Sequence, residues 1–332
     1  MELRSIKNKK RRLPEIKNKN TKMKMFNKIA LVTLISMVAL VSRAQQDPMY
    51  TQYIFNLQTV NPAYAGYWQT MGFMALTRVQ WVGITGHPTT QTLSFQAPLK
   101  SKKVGVGFDA IYDVVGLEKR ISLHFDYSYE IELYNQTTLR LGLDGGFTNY
   151  CHNLLDYQQY PDGISDPAFQ ITVKNQFMPN FGVGFFLSNP KYFLSLSLPK
   201  IIENNYASNS NNFSISAEKR HLYFAGGMVF NLSDAVVFKP TFMTQIVTGA
   251  PVLYDLSANF LLANRLWLGG MYRSGDAVSA IVQWVLTKNL RIGYAHDFST
   301  TDLSNYHSGI HEIMLSFEFS ALRVNFISPR YF

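Results

Sequence analysis

Residues 121–132 alternate without a break. Ile121, Leu123, Phe125, Tyr127, Tyr129 and Ile131 take the odd positions, and Ser122, His124, Asp126, Ser128, Glu130 and Glu132 the even ones. Successive side chains of a strand point to opposite faces, so this segment has one apolar and one strongly polar face. Residues 253–262 repeat the pattern, with Tyr254, Leu256, Ala258, Phe260 and Leu262 set against Asp255, Ser257 and Asn259. Residues 139–147 set Leu139, Leu141, Leu143 and Phe147 against Arg140, Gly142, Asp144 and Gly146. Residues 313–320 set Ile313, Leu315, Phe317 and Phe319 against Met314, Ser316, Glu318 and Ser320.

Weaker segments of the same kind fill the chain. Strands are expected near 72–81, 89–99, 103–113, 120–132, 137–148, 181–187, 191–199, 221–231, 235–245, 252–262, 265–274, 277–287, 289–298 and 310–321. Most have the length that crosses a bilayer at a tilt, about 9–11 residues. The connections alternate in length. One set is short: 100–102, 133–136, 188–190, 232–234, 263–264 and 288. The other holds 82–88, 114–119, 150–180, 200–220, 246–251 and 299–309, with only 275–276 short on that side. Transmembrane barrels have an even strand number, short periplasmic turns and longer outer loops. The expected fold is therefore all-β: a 14-stranded antiparallel transmembrane barrel of the outer membrane.

A soluble all-β protein would bury its apolar faces against each other. Here charges sit mid-strand on the polar faces: Asp109, Asp126, Glu130, Arg140, Asp144, Lys239, Asp255, Arg273, Arg291 and Glu318. In a barrel they can point into a wet or salt-bridged lumen, whereas a Lys or Arg facing lipid at the midplane costs about 2–4 kcal/mol.

The formal charge of +9 would suggest nucleic acid, but the charge is uneven. Residues 1–44 hold 12 of the 31 Lys and Arg, leaving 19 basic against 20 acidic residues in 45–332. Within 1–44, Lys22, Lys24 and Lys28 form a positive region, residues 29–41 an apolar stretch, and Ser42-Arg43-Ala44 a small-x-small cleavage site. This is the plan of a cleaved signal peptide. The apolar stretch is shorter than the roughly 20 residues a membrane helix needs. Residues 1–22 precede alternative starts at Met23 or Met25. Cys151 is the only cysteine, so neither a disulfide framework nor a thiolate metal cluster is expected.

His124, His221, His296, His307 and His311 are scattered, and no nucleophile elbow, HExxH, P-loop or GxGxxG is present. His296-Asp297 and His311-Glu312 are sequence neighbours, so on strands their side chains face opposite ways. Asp162 and Asp166 in 160–167 offer oxygen ligands for Ca²⁺, but the EF-hand pattern is absent and Asp-Gly and Asp-Pro are ordinary turn chemistry. No catalytic, cofactor or metal residue is expected from these motifs, and no enzyme.

Residues 45–70 form a unit between the leader and the barrel at 71–332. Asp47-Pro48 and Asn61-Pro62 are turn initiators, and Tyr50, Tyr53, Ile54 and Phe55 lie between them. Such a segment can dock a periplasmic partner, or act as a plug or clamp in the barrel. The run Gln46-Asp47-Pro48-Met49-Tyr50-Thr51-Gln52-Tyr53-Ile54-Phe55-Asn56, then Val60-Asn61-Pro62-Ala63-Tyr64-Ala65-Gly66, Arg78-Val79-Gln80-Trp81 and Gly86-His87-Pro88-Thr89-Thr90-Gln91, strongly resembles the PorP/SprF family of type IX secretion and gliding-motility proteins of Bacteroidetes. The tail, His311-Glu312-Ile313-Met314-Leu315-Ser316 with Ser328-Pro329-Arg330-Tyr331-Phe332, looks like that family's C-terminus.

The resemblance implies an outer-membrane component of type IX protein secretion. Its implied partners are a periplasmic ring with a peptidoglycan-binding lipoprotein, the C-terminal domain of a secreted adhesin, and outer-membrane lipid. Asp47, Pro48, Tyr50, Tyr53, Phe55, Asn56, Asn61, Pro62, Tyr64 and Gly66 are the candidate partner-binding residues. The alternatives are a porin-like or hydrophobic-solute transporter, and an outer-membrane hydrolase with a clustered His-acid or Ser-His site at its rim.

Overall fold

Strand alternation decides the architecture, because it gives each segment one face for lipid and one for an interior. The computed structural model describes residues 48–99, 103–153, 172–204 and 218–319. The leader, Asp47, the loop with Asp162 and Asp166, most of the Asn/Ser-rich stretch at 204–212 and the tail from 320 lie outside them. The strands among the described residues are β1 (Gly72–Val79), β2 (Thr89–Pro98), β3 (Val104–Val115), β4 (Glu118–Glu132), β5 (Thr138–Asn153), β6 (Thr172–Ser188), β7 (Tyr192–Leu198) and β8 (His221–Met228). They continue with β9 (Phe230–Ser233), β10 (Val236–Val247), β11 (Leu253–Leu262), β12 (Leu266–Arg273), β13 (Ala277–Val285), β14 (Leu290–Ser299) and β15 (Ile310–Glu318). All lie in one compact unit.

Apart from β8 and β9, each strand pairs antiparallel with its sequence neighbours, and β1 pairs with β15, so the sheet closes. Strands β8 and β9 both pair with β10 in one register, Gly227 opposite Thr241 and Phe230 opposite Phe238. They are halves of one stave, which makes the barrel 14-stranded. Continuing this register puts Pro240 opposite Met228. Proline has no N–H to give the ladder, which accounts for the interruption at Val229.

The alternation resolves as expected. Phe125 is 57% exposed to the surroundings while its neighbours His124 and Asp126 are buried in the interior. Asp109, Arg140, Asp144, Lys239, Asp255, Arg273 and Glu318 are buried too. Lys and Arg thereby avoid the midplane lipid that would oppose insertion. Outside, Phe177, Phe181, Phe185, Leu143, Trp284 and Phe298 are exposed.

The loop pattern needs one correction. Residues 114–119 are not a long connection: β3 and β4 stay paired out to Val115 opposite Glu118, and Gly116-Leu117 makes a tight turn with Gly116 at φ +59°. Strands β5 and β6 also run past their expected ends, to Asn153 and from Thr172. Four neighbouring staves, β3 to β6, thus project at the end that carries the longer loops. By the rule for this class that end faces outward, and the short turns face the periplasm.

Candidate functional site

Residues 48–71 lie inside the barrel. They fold into three single-turn 3-10 segments, Gln52–Phe55, Leu57–Thr59 and Pro62–Tyr64. Local chemistry sets the last of these: proline pre-sets its first φ, and the Asn61 carboxamide accepts from Ala63 N at 2.9 Å. Gly66 follows at φ +71°, and a Cβ there would lie 2.6 Å from Gly105 Cα. Only glycine meets both conditions without cost.

The segment runs once along the lumen. At the outer end, the Tyr50 and Thr92 hydroxyls share a hydrogen bond of 2.6 Å. Arg78 pairs with Asp297 at 2.7 Å and Glu312 at 3.0 Å, and donates to the Thr51 hydroxyl at 2.9 Å. Thr51 N and Gln52 N donate to Glu312 at 2.9 and 2.7 Å, and the Thr51 hydroxyl donates to Asp297 at 2.8 Å. Arg273 pairs with Asp255 at 3.0 Å and donates to the Tyr50 carbonyl at 3.2 Å. Every charge in this buried group has an opposite charge or a hydrogen bond, the condition under which burial is tolerable.

Midway, Asn56 donates to Ser94 at 2.8 Å and Gln58 to Asp109 at 3.0 Å; Ser94 also donates to Asp109. The Lys239 ammonium donates to the Ile54 carbonyl at 3.3 Å and lies 5.6 Å from the ring centroids of both Phe55 and Trp267. Asn61 donates to Ser195 at 2.7 Å and to the Phe185 carbonyl at 3.0 Å. At the periplasmic end, Ser128 and Arg140 donate to the Ala65 carbonyl at 2.6 and 3.0 Å, and Arg140 pairs with Glu130 at 2.5 Å.

Between these polar contacts the segment forms an apolar core. Tyr53, Ile54, Leu57, Ala63, Tyr64 and Tyr67 pack with inward side chains that include Met74 of β1, Phe186 of β6, Phe193 of β7, Tyr223 of β8, Met243 of β10 and Met271 of β12. Leu76 of β1, Ala225 of β8, Ile281 of β13, Ala295 of β14 and Met314 of β15 also belong to the cluster. Methionine suits such a seam because its unbranched side chain fills irregular gaps. Tyr64 and Tyr67 set their rings edge-on to Phe186, at centroid distances of 5.4 and 4.9 Å. Burial raises the hydroxyl pKa of Tyr50, Tyr53 and Tyr64, so these phenols act as neutral groups.

The wall is thinned where the plug comes closest. A Cβ on Gly142 would sit 2.1 Å from Ala63 N, and one on Gly105 2.1 Å from the Ala65 carbonyl oxygen. Of the candidate partner-binding residues, Tyr50, Tyr53, Asn56, Asn61, Pro62 and Tyr64 are thus brought together inside the barrel. Pro48 and Phe55 are half-buried, the latter against Trp267 at 6.0 Å. The sequence reading missed the buried cradle of Arg78, Asp297 and Glu312. The signal was available: Asp297 and Glu312 occupy the inward positions opposite to His296 and His311.

No curated protein matches the chain. Among solved structures it is similar to the CymD monoaromatic hydrocarbon channel, with TM-score 0.49 and 10% identity over 84% of this chain and 96% of that one. A FadL homologue from Pseudomonas aeruginosa gives TM-score 0.46 and 11% identity over 82% and 95%. The Acinetobacter baumannii outer-membrane protein Omp33 gives 0.44 and 8% over 75% and 99%. The family of type IX secretion system membrane proteins PorP/SprF matches residues 42–317. The chain, an outer-membrane β-barrel, belongs to the PorP/SprF family.

Proposed function

We propose that this barrel is a closed docking platform in the type IX pathway, serving export or surface attachment of a secreted adhesin. The observation that carries the reading is the plug. Side chains of residues 48–71 contact inward groups on staves around the whole barrel and form its interior core. An open porin keeps a polar, water-filled interior, and a filled interior suits a protein that binds others more than one that passes solutes. The half-buried Trp68, Gln69 and Met71 at the periplasmic mouth are then the part of the plug that a periplasmic partner meets. The buried motif residues act on that surface by holding it in place.

The test is recovery of partners with the tagged full-length protein from gently solubilised outer membranes. A periplasmic ring lipoprotein or an adhesin C-terminal domain in the complex supports the reading. A lone barrel, together with solute flux through it, contradicts it and favours a transporter.

A further inference from the structure

Among the described residues, outward polar side chains gather in one sector of the membrane-facing wall, with Thr244 of β10 and the Asn149–Asn175 pair of β5 and β6 outside it. Across β14, β15, β1, β2 and β3 a single row of paired outward residues reads Tyr294, Ile313, Thr77, Gln91 and Tyr112. The row above it, toward the outer rim, reads His296, His311, Val79, Thr89, Val114 and, on β4, Lys119. The Tyr294 hydroxyl bonds His311 Nδ1 at 2.7 Å, and the His296 and His311 rings meet edge to face at 4.7 Å. Elsewhere on the outer half, β8, β10 and β13 present Leu222, Ile246 and Val278. Thr244, outward on β10, is satisfied by the Phe224 carbonyl at 3.2 Å.

Just below this sector the wall carries a groove of about 390 Å³. Ala75 and Ala110 are its small residues, and Leu93, Tyr112 and Ile121 are among its apolar lining, with the Gln91 carboxamide also on it. Gln91 and Lys119 are exposed, and no carboxylate points outward from the described parts of these strands. An exposed carboxamide beside hydrocarbon carries the cost of an unmet hydrogen bond unless something at the membrane surface meets it.

We propose that this sector binds one anionic phospho-glycolipid of the outer leaflet. Its phosphate and amide groups are held by Lys119, Gln91, Tyr112 and His311, and an acyl chain lies in the groove. Three features point to a lipid of this class. Lys119 and His311 lie in the row toward the outer rim, where headgroups are, and Gln91 and Tyr112 lie one step below them. The one full charge, Lys119, faces outward without a competing outward carboxylate. The groove beside these donors is open to the membrane and lined mostly by apolar side chains, with a volume of about 390 Å³.

The experiment uses the full-length protein in phosphatidylethanolamine nanodiscs doped with bis-phosphorylated lipid A, and native mass spectrometry to count retained lipid A. The wild type should retain it roughly tenfold better than the Gln91→Leu/Lys119→Leu/His311→Phe variant. Dephosphorylated lipid A should be retained no better than phosphatidylethanolamine. Heat-modifiable gel migration verifies that the variant barrel is folded; should it fail to fold, the single variant Gln91→Leu replaces it. Equal retention by wild type and variant overturns the proposal. So does a photo-cross-linker at Tyr112 that, in intact outer membranes, captures a protein in place of a lipid.

Discussion

Arg78 and Glu312 stand directly opposite each other across the seam where β1 meets β15, and the guanidinium closes on the carboxylate at 3.0 Å. The same two side chains bond Thr51 of the plug. Barrel closure and plug seating therefore share one group of charges. The Arg78→Ala variant leaves Asp297 and Glu312 buried without their cation, a change that costs about 3–5 kcal/mol. The expected outcome is a lower unfolding temperature and loss of hydrogen-exchange protection at Thr51 and Gln52. Unchanged protection there would contradict the shared role.

Gly142 lies where the plug backbone touches the wall. A valine there places atoms inside the volume of Ala63, and the plug, held by 3-10 turns and hydrogen bonds, yields before the sheet does. The Gly142→Val barrel is expected to stay folded by gel migration while residues 60–66 become susceptible to protease. Intact resistance would show that the wall can bend instead.

Lys239 holds the Ile54 carbonyl and faces the rings of Phe55 and Trp267. The Lys239→Met variant keeps length and removes charge and donor. A desolvated cation–π contact is worth about 2 kcal/mol. The loss is expected to appear as faster exchange at residues 54–56 with little effect on residues 63–66, measured by mass spectrometry. Uniform loosening of the whole plug would place Lys239 in a general rather than a local role.

Inside and outside are tested by one pair of substitutions on β4. Phe125→Arg puts a guanidinium in the lipid band and is expected to cost about 2–4 kcal/mol if near the midplane. The Phe125→Leu control should change stability by less than about 1.5 kcal/mol. Equal effects in a reversible folding assay would mean that the face is not lipid-exposed.

Much of this fold is legible in the sequence because lipid and lumen demand opposite chemistry at alternate positions, as 121–132 shows. Legibility fails where that contrast ends. The outer parts of β5 and β6 carry the half-buried Asn149 and the exposed Asn175, so strand and loop look alike there. Gly116 reads as the middle of a loop, although Val114 and Val115 remain in the ladder on one side of it and Glu118 and Lys119 on the other. The candidate site divides in the same way. Asn61-Pro62 announces its turn, because that chemistry is local. The inward Met74, Met243, Met271 and Met314 interrupt the polar faces and gain meaning only with the plug between them.

In the proposed function, residues 48–71 close the lumen. Single-channel recording of the full-length protein in a planar bilayer tests it most directly, beside a variant lacking residues 48–70. No steady conductance is expected from the full chain, and an ion-conducting pore from the variant. A steady open conductance from the full-length protein would contradict it.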